Sequence, residues 1–289
     1  MNEFVKGHGL GNDYIVFRKA NINFPLTPEA IRLICRRHFG VGADGVLLLV
    51  DSETADFGLR IFNPDGSEAE KSGNGIRIFA KFLYDHGYTT KRDLTIETAG
   101  GLVRAQLEVR GGRAAGLTID MGRATFWSPA IPVDGAEREV IRQPLEIEGE
   151  YLEFTAVSVG NPHCVILTDD LDPERVRRLG PRIEHHPLFP ERINVQFATV
   201  CARDQVKILI WERGAGYTLA SGSSACAVAA VCRKLGVVEP RVTLQMPGGE
   251  LTIDVDAEWN LRMQGPATEV YTGQLSEELV QQILTAPAS

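Results

Sequence analysis

Ser72 and Ser221 lie 149 positions apart, and the same offset separates Ile61 from Ile210 and Gly11-Asn12 from Gly160-Asn161. Gly100-Gly101 and Gly248-Gly249 follow at 148, and Gly122 and Gly265 at 143. An ordered series with so little drift marks the duplication of a unit about half the chain long. The fold is thereby restricted to two copies of one plan. In the first copy an apolar run, Gly58 to Phe62, feeds the turn Asn63-Pro64-Asp65-Gly66 and then a helix that starts at Ser72. Ile76, Ile78, Phe79, Ala80, Phe82 and Leu83 supply that helix's apolar face, and Gly87 ends it. In the second copy Ile210 to Gly214 leads into Ser221-Gly222-Ser223-Ser224 and an Ala- and Val-rich helix that stops at Gly236.

Taken in order, Phe4 to Phe17 reads as two strands around a Gly-rich turn, Gly7 to Asp13. The glycines look like a dinucleotide fingerprint, but β-prone Tyr14-Ile15-Val16-Phe17 follows where the fingerprint needs a helix. Thr27-Pro28-Glu29 opens a helix expected to reach about His38, and Val46 to Val50 is a buried strand. After the central helix, strands are expected over 94–98, 102–109 and 116–121, joined by glycine turns. Residues 123–150 are rich in proline and charged turns and place a boundary at their start. The second copy repeats the plan with strands over 151–158, 164–167, 206–211, 242–245, 250–255 and 261–263, and a short helix from Asp172-Pro173. Ser276 caps a last helix whose packing the pattern leaves undetermined. Short strands grouped around one helix per copy point to an α/β (α+β) protein of two similar pseudo-symmetric lobes, each a sheet around a central helix. The lobes are expected at 1–124 plus 268–289 and at 125–267.

At 289 residues the chain can bury two cores. A net charge of −8 argues against a nucleic-acid partner, and no apolar run approaches the length of a membrane helix. Five cysteines at irregular spacing, with no CxxC pair, argue against a disulfide framework or zinc site. No leader is recognisable at the start, and a reducing cytoplasm is the expected compartment. No metal site is expected.

Backbone N–H groups at a helix start have no intrahelical partner, so Ser72-Gly73-Asn74-Gly75 and Ser221-Gly222-Ser223 are suited to hold an anion. If the two copies bring their serines to one cleft, the surrounding groups are Asn12, Asn63, Asn161, Asn194, His163, Glu212 and Arg213. Amides with one mixed-charge pair suit a small zwitterionic amino acid: helix N–H groups and Arg213 for its carboxylate, Glu212 for its ammonium. Two groups on opposite faces of one carbon are what stereoinversion requires.

The chain resembles the diaminopimelate epimerase family over essentially its whole length. The matching stretches are Lys6-Gly7-His8-Gly9-Leu10-Gly11-Asn12-Asp13, Gly40-Val41-Gly42-Ala43-Asp44-Gly45, Asn63-Pro64-Asp65-Gly66-Ser67 and Gly73-Asn74-Gly75-Ile76-Arg77. Gly160-Asn161-Pro162-His163-Cys164-Val165 and Glu212-Arg213-Gly214-Ala215-Gly216-Tyr217-Thr218 complete the series. The resemblance implies two α/β lobes and conversion of LL- to meso-diaminopimelate by two cysteines, without pyridoxal phosphate or another cofactor. It implies catalytic positions at 72 and 221, with His163 and Glu212 beside them. Substrate contacts are implied at Asn12, Asn63, Gly73, Asn74, Asn161, Asn194, Glu212, Arg213, Gly222 and Ser223. A homodimer is entertained as the assembly.

Serine stands at both positions that the family pattern gives to cysteine. A serine hydroxyl is less acidic than a thiol by about five pKa units, or roughly 7 kcal/mol. A helix terminus offers only about 0.3–2 kcal/mol, so a local base such as His163 or Glu212 is expected to assist. Plainer roles stand alongside: serine is an ordinary helix cap, His163 a core histidine, Glu212-Arg213 an ion pair, Asn63 and Asn74 turn residues, and His185-His186 solvated. Three readings follow: a natural family member using serine or a related amino acid, a form inactivated by replacing both cysteines, or a non-catalytic amino-acid-binding or interaction protein on the same scaffold.

Overall fold

The computed structural model describes residues 1–286. In chain order the elements are β1 (Glu3–Gly9), β2 (Asn12–Arg18), α1 (Pro28–Cys35), β3 (Val46–Val50), β4 (Phe57–Phe62), β5 (Glu68–Ala69), α2 (Gly73–Asp85), β6 (Asp93–Thr98), β7 (Gly101–Arg110) and β8 (Arg113–Arg123). There follow β9 (Gln143–Ile147), β10 (Glu150–Ser158), β11 (Pro162–Leu167), α3 (Pro173–Glu184), β12 (Asn194–Ala202), β13 (Gln205–Glu212), β14 (Gly216–Thr218) and α4 (Gly222–Lys234). The remainder is β15 (Arg241–Met246), β16 (Gly249–Val255), β17 (Asn260–Gly265), β18 (Thr268–Gln274) and α5 (Glu277–Thr285). They fall into two compact units, Met1–Ile119 with Gly265–Ser289, and Asp120–Gln264.

In the first unit the strands pair in the order β18-β1-β2-β3-β4-β6-β7-β8, with β5 added to β4. β2–β3 and β4–β6 are parallel and the other pairs antiparallel. In the second unit the order is β9-β10-β11-β12-β13-β15-β16-β17, with β14 added to β13. Here β11–β12 and β13–β15 are the parallel pairs. Strand for strand the two topologies are the same. The one difference is the outermost strand, which precedes its neighbour in the second unit (β9) and arrives from the far end of the chain in the first (β18).

Each sheet curls around its central helix. α2 lies against β1, β2, β7 and β18, and α4 against β10 to β13, β15 and β16. Ala225 to Cys232 of α4 are all fully buried, which explains a helix apolar on every side rather than along one stripe. The outer faces carry α1 with α5, packed through Ile31, Ile34, Val280 and Ile283, and α3, packed through Val176, Leu179 and Ile183.

Local chemistry accounts for the boundaries. The β1–β2 turn, Leu10-Gly11, has φ of 57° and 89°, the paired left-handed geometry of a tight hairpin, so the glycine-rich segment joins two strands. α1 stops at Cys35, three residues before the expected His38, because Arg36 turns extended at ψ 117°. α3 runs twelve residues, longer than expected, with Asp172 capping its start and Pro181 inside its last turn. The proline-rich stretch after residue 123 is packed: Ile131 and Val140 are core residues, and β9 follows. No helix among the described residues is long and apolar enough to cross a membrane.

Candidate active site

α2 and α4 begin with nearly the same geometry. Ser72 sits at φ −140°, ψ 113°, and Ser221 at φ −145°, ψ 126°, each the residue before the first helical turn. Ser72 Oγ accepts from the Gly75 N–H at 3.1 Å, and Ser221 Oγ from the Ser224 N–H at 3.4 Å. Both hydroxyls therefore serve as helix caps and stand at the positive end of their helix, where negative charge on oxygen is favoured. Ser72 is half-buried and Ser221 buried.

In the first unit Asn74 Nδ2 donates to Asn12 Oδ1 at 3.1 Å, and Asn12 Nδ2 donates to Asp44 Oδ2 at 3.0 Å. The fully buried Arg77 donates to Asn74 Oδ1 at 2.8 Å. Asp13 receives Lys6 at 2.5 Å and Arg37 at 2.9 Å. Burial raises its pKa, but the hydrogen bonds from Arg37 and Lys6 prevail and hold it at about 2. This ionic clasp ties the β1–β2 turn, and hence Asn12, to the loop before β3. Tyr14 on β2, which sequence reasoning did not single out, is buried with its hydroxyl 3.1 Å from Ser72 Oγ. The signal was present: Tyr14 is 149 positions before His163. Asn63 is engaged in the turn after β4, its Nδ2 donating to Ser67 Oγ at 3.0 Å.

In the second unit Asn161 Nδ2 contacts Ser223 Oγ at 3.5 Å, and Ser223 Oγ lies 3.4 Å from Ser221 Oγ. The Asn12–Asn74 and Asn161–Ser223 links span the same 62 positions, so the duplication extends to the polar groups beside each serine. His163 Nε2 is 3.0 Å from Asn161 Oδ1. The imidazole is fully buried, and burial, aided by the positive charge of Arg213, pushes its pKa down to about 3. It is neutral at any working pH. Because an amide oxygen only accepts, the single proton of the neutral ring sits on Nε2 and is donated to Asn161, which leaves His163 Nδ1, like Gln196 Oε1, a buried acceptor without a partner. Gln196 Nε2 in turn donates to Ser224 Oγ at 3.0 Å.

Asn194 is committed to the backbone: its Nδ2 donates to Pro162 O at 2.8 Å, and its Oδ1 accepts the Arg213 N–H at 3.0 Å. It thus positions the loop that carries Glu212 and Arg213. Buried Glu184 of α3 holds the same loop, accepting from Gly214 N–H at 2.9 Å and from Trp211 Nε1 at 2.8 Å. Arg213 donates through Nη1 to Glu191 O at 3.0 Å. Of the plainer roles, capping by the serines and turn formation by Asn63 are thus both observed. His185 is exposed, and His186 half-buried.

Three of the buried thiols are poor nucleophiles. None of the five cysteines, all among the described residues, forms a disulfide, and only Cys201 is exposed. Burial raises the Cys35 and Cys232 thiols to about 12, and raises Cys164 as well. A thiolate is costly at each.

The diaminopimelate epimerase family profile matches residues 4–127 and 155–270. A diaminopimelate epimerase 2 from Nostoc sp. is 48% identical over 278 residues, covering 96% of each chain. The diaminopimelate epimerase of Desulfitobacterium hafniense is 43% identical over 279 residues, covering 96% of this chain and 99% of that one. Among solved structures, a probable proline racemase from Agrobacterium radiobacter K84 has a similar fold, with a TM-score of 0.72 at 16% identity over 95% of this chain and 93% of its own. With such identity running through both halves, the chain belongs to the diaminopimelate epimerase family.

Proposed function

We propose that this protein interconverts LL- and meso-diaminopimelate by two-base proton transfer at the α-carbon, with Ser72 and Ser221 at the two proton-transfer positions. The observation that carries the reading is the duplicated helix start. Each unit holds one hydroxyl at the positive end of a buried helix, with an amide-lined approach from Asn12 and Asn74 or from Asn161 and Ser223. Bare N–H groups of Gly73 and Gly222 can take a carboxylate, and Glu212 and Arg213 are placed at the end of β13 to sort ammonium from carboxylate. Asn63 and Asn194 set the loops around these groups. His163, neutral and buried, contributes hydrogen bonding to Asn161 rather than a free base. The relatives' names support the substrate, since both carry the words diaminopimelate epimerase.

A second reading has one observation in its favour. Both hydroxyls are occupied as caps, which is all that a non-catalytic amino-acid-binding protein would ask of them. Two measurements separate the readings. Calorimetry with LL- and meso-diaminopimelate is expected to show binding; no binding of either, with clear binding of an unrelated ligand, overturns the substrate. Exchange of the α-proton in deuterated water then distinguishes an enzyme from a binder. We further place the protein in a reducing cytoplasm, which mostly buried cysteines outside any disulfide suit, acting on a small molecule rather than on nucleic acid or membrane. Sedimentation equilibrium tests the homodimer.

A further inference from the structure

The two serines differ in what stands beside them. Among the described residues Ser221 has hydroxyl and backbone hydrogen-bond neighbours, Ser223 Oγ and the Ser224 N–H. Ser72 has a phenol, with Tyr14 Oη 3.1 Å from its oxygen. That contact is built into the fold. β2 and β3 run parallel with Ile15 opposite Val46, which places Tyr14 beside Gly45. A Cβ at residue 45 would come within 2.7 Å of the Tyr14 ring, so the glycine makes the room that the ring occupies. In the second unit the same register pairs His163 with Asn194, a smaller ring beside a larger neighbour.

We propose that Tyr14 is a positioning and proton-accepting residue for Ser72, making the serine a competent base through its phenolate. This rests on the epimerase reading given above. In the step, the substrate Cα–H bond breaks and its proton passes to Ser72 Oγ. The Ser72 hydroxyl proton passes at the same time to the Tyr14 phenolate oxygen. The electron pair stays on the α-carbon, so the negative charge moves from phenolate to carbanion. Ser221 then protonates the carbanion, solvent restores the Ser221 proton, and the Tyr14 phenol returns its proton to solvent. A free phenol is ionised to roughly one part in a thousand at neutral pH, against roughly one in a million or less for a serine hydroxyl. Compared as free groups, the phenol thus recovers part of the ground lost when serine replaces a thiol. The Gly75 N–H on Ser72 Oγ favours the same transfer.

The test is a two-by-two comparison of α-proton exchange with diaminopimelate in deuterated water. Tyr14→Phe in the chain as it stands is expected to lower kcat at least tenfold, with KM changed less than twofold. The same change in Ser72→Cys is expected to cost less than threefold, because a thiolate forms without the phenol. A merely structural role predicts equal losses in both backgrounds, and that result overturns the proposal, as does a rise in KM at constant kcat. Should Tyr14→Phe fail to fold, 3,5-difluorotyrosine at the same position, a more acidic phenol, must raise exchange at neutral pH; an unchanged rate overturns the proposal. A chain that binds diaminopimelate yet exchanges nothing overturns the relay and leaves the substrate standing. Failure to bind removes the substrate and the relay together.

Discussion

At Ser72 and Ser221 one oxygen has two tasks, closing a helix start and moving a proton, and the two tasks favour different elements. Oxygen is the better cap, since sulfur is a weak acceptor, while sulfur is the better base. Replacing both serines by cysteine is therefore expected to raise turnover by orders of magnitude while lowering stability by about 1 kcal/mol per cap. Either single change should restore little, because the two groups act as a unit. Turnover and urea unfolding on the four proteins measure both sides of this exchange. His163 makes a separate prediction. Burial lowers its pKa from the ordinary 6.5 to about 3, so between those values the unfolded chain binds a proton that the folded chain refuses. Stability then falls as pH drops through that window and is unaffected above it. From pH 7 to 4.5 the wild-type protein should lose roughly 2–3 kcal/mol more than His163→Gln, read as the difference in their unfolding free energies.

At the scale of elements, the strand–helix contact of β2, β3 and α2 depends on one missing methyl group. Gly45→Ala sets a Cβ against the Tyr14 ring and the Phe62 carbonyl, and is expected to cost about 1–3 kcal/mol by overcrowding. It should also lower α-proton exchange by disturbing the Tyr14–Ser72 contact; unchanged unfolding and exchange would show that the strands simply part. The central elements were legible in the sequence because each carries its own signal. Ser72 and Ser221 are caps followed by apolar helices, and β3 and β13 are strands dense in Val, Ile and Leu. The edge strands were not. β18 is exposed or half-exposed along its whole length, and β9 lies among prolines and charges, so each owes its conformation to pairing with β1 or β10. The site divides the same way. Ser72, Asn12 and Asn161 were readable from repeated spacing and His163 from its motif, whereas Tyr14, whose offset from His163 went unread, Arg77, Gln196 and Glu184 act through contacts 27 or more positions apart in sequence.

For the molecule as a whole, the duplication leaves the two units alike in strand order but unlike in wiring. β18 covers one edge of β1, and α5 buries Val280 and Ile283 against the α1 core. Removing residues 268–289 should therefore unsettle the first unit far more than its length implies. The expected result is insoluble or protease-sensitive protein, with cleavage concentrated before residue 119; a soluble truncation with an unchanged unfolding midpoint would contradict it. The same wiring has a consequence for how the chain is made. A ribosome releases β1 well before β18, the strand that covers its edge. The second unit, Asp120–Gln264, emerges whole in the meantime, with β9 already at hand for β10. The first unit, begun before the second, is thus finished after it, with the edge of β1 open while the second unit is made. In that interval it is the part most in need of a chaperone, and stalling synthesis just short of β18 should leave it the most prone to aggregate.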